Sequence, residues 1–296
     1  MQRIAMRPIT LVGAIVLAMS AVACDQAAPP ASAGPAPEAF LLRATYAQAL
    51  PPEDVFAWAP PVAITGDRTL VTLGAVPAIF PGPLLPNLRG RTITRVGYDR
   101  IVGEARSLGL LDGDGDFAPP DVALGAQLGR IELLVDGEMR ELIGDPSRVI
   151  QCVREPCIPP PGTPEAFAAF WQMLTQLPAG LESEFGPEFG YRPDGYAILI
   201  GVEPTDEPGL PPGIQAWPLD TPLMDSGRPI AAGQELPRCA TFEGADVAAL
   251  TAAFELANQL TRWVDRDGAA ADAVSIAVRP LLPGEDVCRD LYGIGS

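Results

Sequence analysis

Apolar residues recur along this chain in two rhythms, one of period two and one near 3.6, separated by Pro- and Gly-rich breaks. The period-two segments predict strands. Phe40–Ala47 is one; residues 62–65 and 69–72 are two more, flanking Gly66-Asp67, a Gly-first pair suited to a tight hairpin turn. Ile131, Leu133 and Val135 alternate into Asp136-Gly137, a type I′ turn signal, and residues 139–143 return. The continuous apolar run 196–202, a shorter one at 214–217, and the alternation of Val274, Ile276 and Val278 complete the set. The proline-rich stretch 79–87 (IFPGPLLPN) reads as an ordered loop or an edge.

The helical period predicts three helices. Thr94 can cap the first, which puts Tyr98, Ile101, Val102, Ala105 and Leu108 on one face before Gly109 ends it. Thr163-Pro164-Glu165 starts the second, with proline at the first helical position. Its apolar face is Phe167, Phe170, Trp171, Leu174 and Leu177, and Pro178 and Gly180 stop it; an aromatic stripe of this kind is a core signature. Residues 246–260 form the third, with Val247, Leu250, Phe254 and Ala257 inward.

Strands joined by short hairpins favour an α+β fold of antiparallel sheet with helices packed on one face over alternating βαβ units. The expected organisation is a signal peptide over 1–23, a tether over 24–39, a first α+β half over 40–150, a loop and connecting helix over 151–192, and a second α+β half over 193–296. Arg91-Thr92-Ile93-Thr94 and Ala240-Thr241-Phe242-Glu243 each precede a helix in equivalent places. A weak internal duplication and a chance recurrence of α+β grammar both account for that.

The N-terminus changes the picture most. Arg3 and Arg7 precede a run from Ile9 to Ala23 that is apolar, ends in small residues and is short for a bilayer span. Ala21-Val22-Ala23-Cys24 resembles a lipobox, which predicts cleavage before Cys24 and acylation of its thiol; ordinary secretory cleavage leaving a free Cys24 is the alternative. Residues 25–39 hold four prolines and no large apolar side chain, so they read as a semi-extended tether. The expected location is therefore outside the cytoplasm, lipid-anchored to the outer face of the cytoplasmic membrane or within the envelope.

The formal charge of −17 argues against nucleic acid, whose binding rests on neutralised phosphates. All 20 basic residues are arginine, and there is no histidine. Ser-His-Asp and Cys-His catalysis, His-ligated zinc and lysine Schiff bases are thereby excluded. With Cys24 assigned to lipid, four cysteines remain in an oxidising compartment. Four cysteines allow three pairings; Cys152 with Cys157 and Cys239 with Cys288 is preferred because each pair lies within one segment.

The run ITGDRTLVTLGAVPAIFPGPLLPNLRGRTIT, the helix ending in Leu108-Gly109-Leu110-Leu111, and the closing RCATFEGADVAALTAAFELANQLTRW with RPLLPGEDVC resemble an uncharacterised family of secreted or lipid-anchored proteins from GC-rich bacteria. The resemblance spans most of residues 40–290. It implies export and brings no assigned activity or site.

Three local patterns are candidates for chemistry. Asp112, Asp114 and Asp116 alternate on a glycine-bearing loop, as carboxylates converging on calcium would, but the sixth and twelfth positions, Phe117 and Ala123, break the EF-hand pattern; a polar turn explains the same residues. Leu223-Met224-Asp225-Ser226-Gly227 matches half of an aspartic-protease constellation, and Asp220-Thr221-Pro222 lacks the glycine a second half needs. Glu182, Glu184 and Glu188, interleaved with Phe185 and Phe189, offer paired carboxylates for glycoside hydrolysis or simply an acidic surface. No catalytic set is convincing. The expectation is a non-enzymatic lipid-anchored binding domain whose partner is an envelope protein or a polysaccharide, with a carboxylate-based hydrolase as the rival.

Overall fold

The computed structural model describes residues 40–47, 55–119, 127–148, 159–204 and 207–294. Cys24, the expected signal (1–23) and tether (24–39), and the pair Cys152 and Cys157 lie outside the described residues.

The first sheet grows from hairpins. β1 (Phe40–Ala47) pairs antiparallel with β2 (Val62–Thr65), which turns through Gly66, Asp67 and Arg68 into β3 (Thr69–Leu73). Arg68 takes a left-handed conformation there, while Asp67 accepts the Thr69 amide and so closes the turn. β4 (Leu88–Thr92) extends the sheet and leads into α1 (Arg95–Ser107). The Thr94 hydroxyl accepts the Gly97 amide as the cap, and Gly109 follows the last turn at φ +66°. β5 (Asp116–Phe117), β6 (Leu128–Val135) and β7 (Glu138–Gly144) make the other side. The β6–β7 turn has positive φ at both Asp136 and Gly137, as type I′ requires. α2 (Pro164–Thr175) carries its predicted Thr163 cap, and β8 (Phe189–Gly190) closes the far edge. The order is β5-β7-β6-β1-β2-β3-β4-β8.

The second sheet comprises β9 (Gly195–Ile200), β10 (Ile214–Ala216), β11 (Arg228–Pro229), β12 (Arg238–Glu243), β13 (Arg262–Val264) and β14 (Val274–Leu281), in the order β10-β13-β14-β9-β12-β11. α3 (Asp246–Glu255) follows β12, and α4 (Val287–Tyr292) follows β14. The architecture is α+β with two sheet halves, as the hairpin grammar predicts, but both sheets are mixed: β5 runs parallel to β7, and β10 parallel to β13.

Burial explains the patterning. On the first sheet, Leu42, Ala44, Ile131 and Leu133 point to one face, where α1 and α2 cover them with Ile101, Phe167 and Phe170. β9 is buried at all six positions because both of its faces are covered. Tyr196, Ile198 and Ile200 pack under α3 with Trp217 and Trp263, while Ala197 and Leu199 pack against α4 and Phe56. The second sheet thus carries helices on both faces, which corrects the expectation of one covered face. α3 is shorter than predicted, ending at Glu255: Asn258 accepts the Leu260 amide and thereby makes a turn where the helix was expected to continue. The predicted pair Cys239–Cys288 forms a disulfide that ties β12 to α4 inside this second core.

Candidate functional site

Alternation along β1 and β6 has a second consequence. Residues between the apolar ones point to the opposite face, and there the antiparallel register sets Arg43 opposite Glu132 and Thr45 opposite Arg130. Residues 34–296 form one compact unit, and in it the β14–α4 corner of the second sheet closes over this polar strip. β14 contributes Arg279, the following turn Glu285, and α4 Asp290 and Leu291. Trp58 and Tyr46 stand at the side. The result is a cleft of about 330 Å³, within the range of small-molecule sites.

Three arginines and three carboxylates line the cleft, and some of them share partners. Arg43 Nε donates to Glu132 Oε2 at 2.5 Å, and its Nη1 lies 3.8 Å from Glu285 Oε1. Arg279 Nη2 donates to the same Glu285 oxygen at 2.8 Å, and the Leu282 amide donates to the other at 3.0 Å. Side-chain exposure is 11% for Arg279 and 2% for Glu285, so this pair is part of the interior wall. Burial works against the Arg43 guanidinium, but Glu132, Glu285 and Asp290 together outweigh it and hold the group above its ordinary pKa.

Of the guanidiniums, that of Arg130 is open to the cleft, with 44% of its side chain exposed. Arg130 has a 3.9 Å ion pair with Glu141 and no hydrogen bond through its buried Nε; the Nε of Arg279 is likewise buried without a partner among the described residues. Beside them, Tyr46 and Trp58 meet edge to face with centroids 6.1 Å apart, and each residue is more than a third exposed. The cleft therefore offers donors, acceptors and an aromatic edge.

The sequence-predicted candidates lie elsewhere. Asp114 accepts the Asp116 amide and Asp116 accepts the Ala118 amide, so two of the three loop carboxylates fold the turn between α1 and β5. Asp112 is exposed. Among the described residues no group of three or more acidic or cysteine side chains is placed to hold a metal ion. Glu184 accepts a hydrogen bond from the Thr94 cap and sits 3.9 Å from Arg100, Glu188 pairs with Arg91 at 3.1 Å, and Glu182 accepts the Gly180 amide. Glu184 and Glu188 thus fasten the 180–190 segment to β4 and α1, while Glu182 closes a turn within it. Phe189 covers Gly90, where a Cβ would come within 2.3 Å of the ring. Asp225 ends a single 3-10 turn whose Ser226 hydroxyl returns to Pro222 O at 3.0 Å.

The residues that build the cleft were missed because a charged residue between two apolar ones on a strand reads as the solvent side. The available signal was the pairing of Arg-x-Thr on β1 with Arg-x-Glu on β6. Protein-family models, curated proteins and solved structures were compared with this chain, and none matches it.

Proposed function

We propose that this is an exported, lipid-anchored protein whose folded domain binds a polysaccharide in the cleft between its two sheets, without catalysing a reaction on it. The observation that carries the reading is the alternation of guanidinium and carboxylate groups around Arg43, Arg130 and Glu132 beside the partly exposed Tyr46 and Trp58. Sugar hydroxyls are donors and acceptors at once, so they suit a wall that presents both. The C–H face of a pyranose suits an aromatic edge. A buried ion-pair network adds little net stability over an apolar wall of the same volume, so its presence in a cleft favours recognition as its reason. Glu285 has both oxygens taken by Arg279 and Leu282, Glu132 is held by Arg43, and Asp290 lies beside Arg289, which favours binding over hydrolysis as their use. Acylation of Cys24 supplies the anchor, and residues 25–39 supply the reach.

Affinity electrophoresis tests the binding half. The chain from residue 24 onward, carrying Cys24→Ser, is run through native gels with and without dextran or alginate. Retardation by either polymer that Trp58→Ala and Arg130→Ala abolish supports the reading. Unchanged mobility of the wild type in both gels, or retardation that both variants retain, sinks it. Labelling with a fatty-acid analogue in wild type and Cys24→Ser tests the anchor separately.

A further inference from the structure

A strap crosses from β3 to β4 and carries no ionisable side chain: residues 69–88 are uncharged throughout, in a chain of 57 ionised groups and net charge −17. The strap is held at both ends. Gly74 N donates to Asn87 O at 2.6 Å and the Asn87 amide donates to Ala75 O at 2.8 Å, which closes its base. Farther along, Leu84 N donates to Ala257 O, and Gly82 and Gln259 exchange two hydrogen bonds, so the strap is stitched to the segment after α3. Leu84 and Leu85 pack into the second core. What is left outside is the tip, where Val76, Ile79 and Phe80 are 63%, 65% and 52% exposed, among prolines that limit its freedom.

Large apolar side chains on a fixed, uncharged tip need a cover. We propose that this tip enters the interfacial region of a lipid bilayer, as a second contact that holds the domain against the membrane carrying its anchor. The inference rests on the export reading, in that a bilayer must be within reach. Two further observations favour lipid as the occupant. An acidic chain approaches a phospholipid surface only where it shows no carboxylate, and the strap is such a place. The chain between Cys24 and Phe40 spans at most about 55 Å, while β3, the strand separating the β1 entry end from the strap, is only about 17 Å long. An anchored chain can therefore lay the tip on its own membrane.

Sedimentation with phosphatidylcholine vesicles tests this on the chain from residue 24 onward, with Cys24→Ser so that no acyl group contributes. The expected result is measurable partition of the wild type, a fall of about tenfold or more in Ile79→Ser/Phe80→Ser, and no change in Val96→Ser, an exposed apolar control on α1. Both tip residues are mostly in solvent, so unchanged melting temperatures confirm intact folding. Failure of the wild type to partition, or equal partition by the double variant, overturns the proposal. So does self-association through the same two residues in sedimentation velocity, which would assign the tip to protein contact. Absence of label on Cys24 in the acylation experiment overturns the anchor and with it the tip's role as a second contact, while partition lost in the double variant still assigns the tip to lipid.

Discussion

Gly129 on β6 lies directly opposite Gly144 on β7, and this paired absence of side chains seats the aromatic face of α2. A Cβ on Gly129 would stand 2.7 Å from the Trp171 ring, and one on Gly144 would stand 2.5 Å from Phe167. Both contacts are with rings locked in the core, where a neighbour has no room to give. Gly144→Ala is expected to destabilise the domain by about 1–3 kcal/mol through overpacking, read as a shift in the urea midpoint at constant m. An unchanged midpoint would mean that α2 does not rest on the sheet as described.

The wall of the cleft responds differently to single and double changes. Removing Glu285 alone strands the Arg279 guanidinium and the Leu282 amide in the interior, so Glu285→Ala should cost about 3–5 kcal/mol. Replacing the pair together, Arg279→Met with Glu285→Leu, removes both charges and should cost far less. Chemical denaturation of Arg279→Met, Glu285→Leu and the double gives the coupling energy directly.

The disulfide between Cys239 and Cys288 closes a loop of 49 residues across the second core. A loop of that length predicts a loss of about 4 kcal/mol when the link is removed, because the unfolded chain regains its freedom. Cys239→Ala/Cys288→Ala should therefore melt well below the oxidised wild type, and wild type treated with a reductant under unfolding conditions should match it.

Three tyrosines set the alkaline limit. Burial raises the pKa of Tyr98 and Tyr196 above the ordinary value and pushes Tyr191 up to about 12. In the unfolded chain all three ionise near 10. Between those values the unfolded state binds fewer protons than the folded one, so stability is fully present below about pH 10 and is lost as pH rises through the folded values. Denaturation midpoints, level up to about pH 10, should fall above it.

Tyr98 also carries a structural bond. Its hydroxyl lies 2.7 Å from both Leu41 O and Leu134 O, and its single proton serves those two strand carbonyls. Tyr98→Phe should cost about 1–2 kcal/mol and flatten the pH dependence at the alkaline end, which a denaturation series across pH measures.

Local signals were legible where the physics is local. Thr94 and Thr163 cap their helices as read, because a cap is settled within three residues of itself. Asp136-Gly137 turns the chain because both residues must take positive φ, and that requirement is written in the residue types. The end of α3 was less legible, since Asn258 makes a turn inside a stretch of good helix formers. The strands β4, β5, β8, β11, β12 and β13 were missed because they are specified by their partners: β8, for one, pairs with β4 through only two residue pairs. The carboxylates that looked like sites, Asp114 to Asp116 and Glu182 to Glu188, are spent on turns, a cap contact and ion pairs, a use that sequence spacing cannot separate from ligation.

The sequence alone determined the three longer helices, the hairpin strands of the first sheet and the runs 196–202 and 274–278 of the second, the α+β class, the Cys239–Cys288 pairing as a preference, and the chemistries that a chain without histidine or lysine lacks. Periodicity and residue type suffice for these because each concerns neighbours along the chain. Only the tertiary structure decided that Arg43, Arg130 and Arg279 share a cleft with Glu132 and Glu285. β1 and β6 lie 89 positions apart at the Arg43–Glu132 pair, and β14 joins them from the other sheet. Which charges meet across such distances depends on register and on how two cores stack, and no pattern within a single strand encodes that.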